Sequence, residues 1–208
     1  MISHHLPSAH GAPRPGQGAG QMLATIATAF ASLLLVFFCL TAVGAQAGAD
    51  EAHLERSVKA AFLYKFLGYV DYPEAASPAL GEPLVIGVLG ADDVADELRR
   101  IAVGRSMNGR AVAVRKLRQG DAVGRVHMLF IGADDAAATE NLLAAVRQTP
   151  VLTVTETARS LRTDSVINFR VVDERVRFDV SLDAAEKSNL KLSSRLLAVA
   201  YKVQRSNR

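Results

Sequence analysis

Cysteine occurs once in the 208 residues, at Cys39, and the segment that holds it is not domain-like. Histidine is nearly as scarce beyond residue 47, where only His53 and His127 remain. The motifs that mark common chemistries are missing as well. There is no G-x-S-x-G nucleophile elbow, and the two histidines have no H-x-x-x-H spacing that would hold a zinc ion. "GVLGADD" (Gly87–Asp93) lacks the third glycine and the lysine of phosphate-binding loops. Charge of one sign is lacking too. Removing Arg14 with the leader leaves 23 basic residues against 21 acidic ones, interspersed, which gives no support for nucleic-acid binding.

The leader is recognisable by order. Met1–Gln21 is polar with one basic residue, Met22–Gly44 is an uncharged apolar run, and "AQAGADE" follows. That is a secretory signal with an A-x-A match at Ala45 and Ala47, so cleavage is expected after Ala47. The apolar run is also about as long as a membrane span of roughly 20 residues, and a retained anchor is the alternative. Both readings put the rest of the chain outside the cytoplasm, in the periplasm or anchored facing it. Cys39 lies inside the apolar run after "VFF", which does not suit a lipid attachment site. The expected organisation is a leader over 1–47 and one domain over 48–208. That domain has no cysteine, so disulfides, thiolate metal sites and cysteine nucleophiles are excluded from it.

Within the domain, "SVKAAFLYKFLGYVDYP" (Ser57–Pro73) is helical in spacing but apolar on more than one side. Leu54, Val58, Phe62 and Tyr69 form one stripe; Ala60, Leu63, Tyr64 and Leu67 form another. A helix apolar nearly all round must be covered on more than one side. Burial between sheet and C-terminal helices is one explanation. The functional one is that Phe62, Tyr64, Phe66 and Tyr69 meet a partner or a second copy.

A Pro-rich linker (Tyr72–Pro83) leads into an alternation of apolar runs and helical segments. "LVIGVLG", "AVAVRKL", "HMLFIG" and "VLTVTE" read as parallel strands, with helices at "DDVADELRRIAVG" and "DDAAATENLLAAVRQ". The connection Arg118–Val126 is too short for a long helix. "SVINFRVVDERVRFDVS" alternates on both sides of Asp173–Glu174, which predicts an antiparallel hairpin. That folding pairs Val171 with Val176, Phe169 with Phe178 and Ile167 with Val180, and on the other face Asn168 with Asp179. The turn lacks the usual Gly, which suggests a longer loop. Asp183 and Glu186 suggest a capped helix ended by Asn189, and a serine cap starts the next one. The expected fold is three-layer α/β: a mostly parallel sheet of about four strands extended by a C-terminal antiparallel hairpin, with helices on both faces.

The hairpin register also sets Arg170 opposite Arg177, a like-charge pair that destabilises unless something offsets it. Nearby Asp173, Glu174 and Asp179 would screen it; an anionic ligand or acidic partner would use it. His127, at the edge of a buried strand, reads as a hydrogen-bonded structural residue. No catalytic set and no cofactor site emerges, so an enzyme is not expected.

"VKAAFLYKFLGYVDYP", "LVIGVLG" and "INFRVVDERVRFDVSLDAAEKSNLKLSSRLLAVA", with the export signal, resemble the YfiR-like family of periplasmic proteins. The resemblance spans about Ser57–Ala200 and is most specific in its C-terminal block. It implies a negative regulator that binds the periplasmic domain of an inner-membrane diguanylate cyclase and lowers cyclic-di-GMP. It also implies sequestration by an outer-membrane lipoprotein and a tendency to form homodimers. Paired cysteines of some members are absent here, which removes a redox-sensing role. The alternative is a periplasmic small-ligand-sensing module serving a sensor kinase or a transporter.

Overall fold

A computed structural model describes residues 50–79, 81–132, 136–156 and 164–205. Ala45 and Ala47, and with them the expected cleavage site, lie outside the described residues. The fold below is that of the unit Glu51–Arg208. Helix α1 covers residues 50–66 and runs through a 3-10 turn (Leu67–Tyr69) into the short strand β1 (Val70–Asp71). Then follow β2 (Leu84–Leu89), α2 (Asp92–Ala102), β3 (Ser106–Met107), β4 (Arg110–Leu117), β5 (Met128–Ile131), α3 (Ala136–Val146) and β6 (Leu152–Glu156). The hairpin β7 (Ile167–Val172) and β8 (Arg175–Ser181) leads to α4 (Leu182–Lys187), β9 (Lys191–Leu192), α5 (Ser194–Val199) and β10 (Lys202–Gln204).

The main sheet is mixed, in the order β10-β8-β7-β6-β5-β2-β4-β3. Its centre, β7-β6-β5-β2-β4, is parallel throughout. Strands buried on both faces have no polar side to spare, which is why the sequence shows them as continuous apolar runs. Ile86, Val88, Met128, Phe130, Leu152 and Val154 face the core that holds α1, α2, α4 and α5. Leu89, Leu129 and Ile131 face a second core that holds Leu143 and Val146 of α3. Helices thus cover both faces. Gly132 allows the ends of β2 and β5 to converge, since a Cβ there would lie 2.8 Å from the Ala91 methyl.

The strand count differs from expectation. The sheet has eight strands because short segments extend both edges, β3 beside β4 and β10 beside β8. The hairpin is therefore not the edge. β10 pairs parallel to β8, Val203 with Val180. The helix α5 stops at Val199 because Ala200 is already extended (φ −66°, ψ 141°). A separate two-stranded sheet joins β1 to β9, Val70 with Leu192. The connection after β4 is irregular, as its length required.

The hairpin register is the one the alternation predicts, with Ile167, Phe169, Arg170 and Val171 opposite Val180, Phe178, Arg177 and Val176. Its turn is not longer. Val172 pairs with Arg175, so Asp173 and Glu174 alone make the loop, both left-handed at φ 49° and 57°. This is the type I′ geometry that matches strand twist and ordinarily takes Asn-Gly. Asp tolerates the left-handed region; Glu gains no local hydrogen bond from it. The cap of α4 also differs. Ser181, not Asp183, accepts the Ala184 N–H at 3.2 Å, and Asp183 lies in the first turn. Ser193 caps α5 through the Leu196 N–H, and Asn189 ends α4 at φ 53°, both as expected.

Glu174→Gly is expected to stabilise the protein by about 0.5–1 kcal/mol, since relief of the left-handed strain exceeds the added backbone entropy. The urea midpoint should rise at constant slope. A lower midpoint would show that the Glu174 side chain contributes more than its backbone costs.

Candidate functional site

Helix α1 lies against the sheet along Ala60, Leu63, Phe66 and Leu67, all nearly inaccessible. Phe66 is 1% exposed and stacks between neighbours: 5.0 Å to Phe178 edge-on and 5.9 Å to Phe169. Phe169 in turn meets Phe130 of the central strand β5 at 5.9 Å. Phe62 is half-buried above this cluster, 5.8 Å from Phe66 and 5.5 Å from Phe178. Tyr64 is buried on the opposite flank, and its hydroxyl donates to the Ser106 carbonyl at 3.1 Å. Tyr69 is half-buried beside the core, and its carbonyl accepts the Ser193 N–H at 2.9 Å. The four aromatics therefore divide: Phe66 and Tyr64 are enclosed within this chain, while Phe62 and Tyr69 keep an accessible edge.

The helix is covered for most of its length, which answers why it is apolar nearly all round. Its first two turns are the exception. Leu54 is 65% exposed, and Val171 at the hairpin tip is 55% exposed. Between them runs a groove of about 580 Å³ whose floor is Val58, Phe62 and Val176. Glu51, Glu55 and Glu174 stand on its rim together with Arg175 and Arg177. Helical spacing pointed to Phe62, and the hairpin register to Arg177. The groove adds Leu54, Val171 and Arg175, whose signal was an apolar pair at the predicted hairpin tip with nothing in the sequence assigned to cover it.

The like-charge pair is resolved by its surroundings. The Arg170 guanidinium bridges to Asp179 Oδ2 at 3.2 Å and lies over the Tyr201 ring at 5.4 Å. Asp179 is itself buried. Arg170 is thereby turned toward its own sheet, while Arg177 is exposed on the groove rim. The two arginines are across from one another in register but do not converge on one anion.

A second ionic joint locks α1 in place. The buried Lys59 ammonium donates to both Glu55 and Glu156, the last residue of β6. Burial alone would push Lys59 down, but the hydrogen bonds to Glu156 and Glu55 outweigh it and hold the ammonium above the ordinary lysine value. Nearby, Arg56 reaches Asp93 at the start of α2 at 3.5 Å.

His127 is structural, as its position suggested. Its Nδ1 accepts the Val85 N–H at 2.9 Å, and its carbonyl accepts the Tyr72 hydroxyl at 3.0 Å. Nδ1 is thus committed to the backbone, so no carboxylate can orient the ring as in a nucleophilic triad. Nε2 is buried without a partner among the described residues. Among those residues no group of three or more His, Cys, Asp or Glu side chains could hold a metal ion, and no helix is long and apolar enough to cross a membrane.

What the fold presents is an apolar groove with a charged rim on a mixed α/β scaffold. The chain belongs to the YfiR/HmsC-like family, which it matches over residues 56–201. No curated protein matches it.

Phe66→Ala is expected to cost about 3–5 kcal/mol of stability, as for a fully enclosed aromatic. Phe62→Ala should cost less, about 2–3 kcal/mol, because an edge of the ring is already in water. Equal losses in chemical denaturation would mean that Phe62 too is core.

Burial, with Arg125 and Arg110 nearby and Glu82 partly offsetting them, holds His127 below the ordinary histidine value. The unfolded chain then takes up a proton that the folded one refuses, so stability falls as pH drops below about 6.5. His127→Asn keeps an acceptor at the Nδ1 position for Val85 and does not titrate. Denaturation at pH 7.5 and 5.0 should show the wild type losing stability relative to this variant. A constant difference between the two pH values would refute the assignment.

Proposed function

We propose that the protein is an exported periplasmic regulatory binding protein that represses an inner-membrane diguanylate cyclase through its periplasmic domain, and so lowers cyclic-di-GMP. The observation that carries this reading is the groove between α1 and the β7–β8 tip, where Leu54 and Val171 stand open to solvent above an apolar floor of Val58, Phe62 and Val176. Family membership supports the regulatory theme.

Repression across a membrane requires only that one conformation of the cyclase be bound better than another. Moving a two-state enzyme from 99:1 to 1:99 takes about 10⁴-fold preference, or about 5.5 kcal/mol. Leu54 is 65% and Val171 55% exposed, so covering what remains open would supply about 1–2 kcal/mol each. The two anchors give part of the required preference and the charged rim must give the rest; reactive side chains are not needed. Dimerisation and sequestration by an outer-membrane lipoprotein belong to the same proposal, since each needs surface rather than chemistry.

The test is the cellular cyclic-di-GMP level after deletion of the gene, after its restoration, and after restoration with Leu54→Asp/Val171→Asp. Deletion should raise the level and the wild-type gene should return it. The double variant, exposed at both sites, should fold and be exported yet fail to restore repression. An unchanged level on deletion, with the native cyclase expressed, would overturn the reading and favour a ligand-sensing module for a kinase or transporter. Full repression by the double variant would remove the groove from it.

A further inference from the structure

On the sheet face opposite α1, the chain forms a second concavity that the proposed repression does not use. It has a volume of about 290 Å³ and opens where the carboxyl ends of β2 and β4 meet α3. Ligands of open α/β sheets bind outside the carboxyl ends of the strands. Its floor is Leu89 and Leu117, the last residues of those strands, each under one-tenth exposed. Val123 and Leu142 complete the apolar wall.

Four polar side chains line it, Arg118, Gln119 and Asp121 from the loop after β4 and Asn141 from α3. The loop holds its own shape. The Arg118 N–H donates to Asp121 Oδ2 at 2.8 Å, and the Asp121 N–H returns to the Arg118 carbonyl at 3.0 Å. The Asp121 carboxylate is therefore engaged with backbone, whereas the Arg118 guanidinium is in no ion pair among the described residues. Some exposed arginines do have acids, Arg100 with Glu97 and Arg147 with Asp164, while Arg105 and Arg195 are, like Arg118, in no ion pair among the described residues. An arginine left unpaired beside a leucine-lined hollow is built for a planar carboxylate whose apolar body enters the hollow.

We infer that this pocket binds a small monocarboxylate with an apolar body, its carboxylate on Arg118 and Asn141 and its hydrocarbon on Leu89, Leu117 and Leu142. At the roughly 30 Å³ that a water molecule takes in the liquid, the pocket has room for about ten non-hydrogen atoms. That is the size of an arylacetate or a medium-chain fatty acid. Such a ligand would tie the 118–123 loop to α3, on the face away from the groove, and is independent of which partner the groove takes.

Phenylacetate is the probe, titrated into the purified protein by calorimetry and by backbone amide NMR. Saturable 1:1 binding with Kd at or below about 1 mM is expected, with shifts confined to residues 117–123 and 141–145. Phenylacetamide, equal in shape and uncharged, should bind at least tenfold more weakly. Arg118→Met, which keeps the side-chain stem and leaves the thermal midpoint unchanged, should weaken phenylacetate at least tenfold and the amide little. No saturation by 10 mM, equal affinity for acid and amide, or full affinity in Arg118→Met would each overturn the inference.

Discussion

Phe66 is the contact on which the arrangement of this fold turns. Its ring sits between Phe169 and Phe178 of the two hairpin strands while its helix lies across the sheet. Pairing β7 with β8 brings Phe169 and Phe178 side by side on one face, and only a large ring from α1 fills the space above them. Through Phe169 the cluster reaches Phe130 at the middle of β5. Five aromatic rings thus connect the outermost turn of the groove floor to the centre of the parallel sheet. Edge-on and offset ring contacts of this kind add about 0.5–1.5 kcal/mol per pair beyond the area they bury. Lys59 complements them. A buried ammonium with two carboxylates would be costly if either acid were lost, so the joint to Glu156 fixes how α1 lies along β6.

With the helix held this way, the position of the groove follows from lengths. The β7–β8 ladder extends beyond the aromatic cluster to Val171–Val176 and then turns tightly at Asp173–Glu174. Helix α1 also extends beyond it, toward Glu51. The groove lies between the two overhanging ends, and among the described residues no third element lines it. Leu54 and Val171 are exposed for that reason and not because the core is badly packed. The rim carries acids from the helix and both signs from the hairpin, so a partner must match a pattern of charge and not a single sign. Such a rim governs which partner fits more than how tightly it holds.

Much of this was legible from periodicity. Period-two alternation specified the hairpin register to the residue, because a one-residue slip would have exchanged Phe169 and Phe178 for Asn168 and Asp179 on the buried face. Continuous apolar runs specified the parallel strands, and the short Arg118–Val126 link left no room for a long helix. What escaped was set by tertiary context. β3, β9 and β10 are two or three residues long and carry no pattern of their own. They are strands because a neighbour offers free backbone groups, as Phe178 does when its carbonyl accepts the Tyr201 N–H at 2.8 Å. The turn at Asp173–Glu174 read as a longer loop because its residues do not advertise the left-handed conformation that the twist of the strands imposes. The aromatic residues of α1 were singled out together, yet only position along the helix decides which ring is enclosed. Phe66 is four residues beyond Phe62, one turn deeper under the hairpin, and that turn separates core from surface.

The same geometry bears on how the proposed regulator would work. A loop-built site must be ordered when a partner arrives, at a cost of about 0.5–1.5 kcal/mol for each immobilised side chain. Here Phe62 is already fixed by three ring contacts, and the backbone beneath Val171 and Val176 is a paired ladder. The floor therefore contributes its apolar area with little entropy lost, and the cost falls on Leu54 and the rim side chains alone. A repressor of this build would hold its target by fit to a fixed surface. The conformational change would then belong to the cyclase, and a competing lipoprotein would need only to cover Leu54 and Val171 to relieve repression.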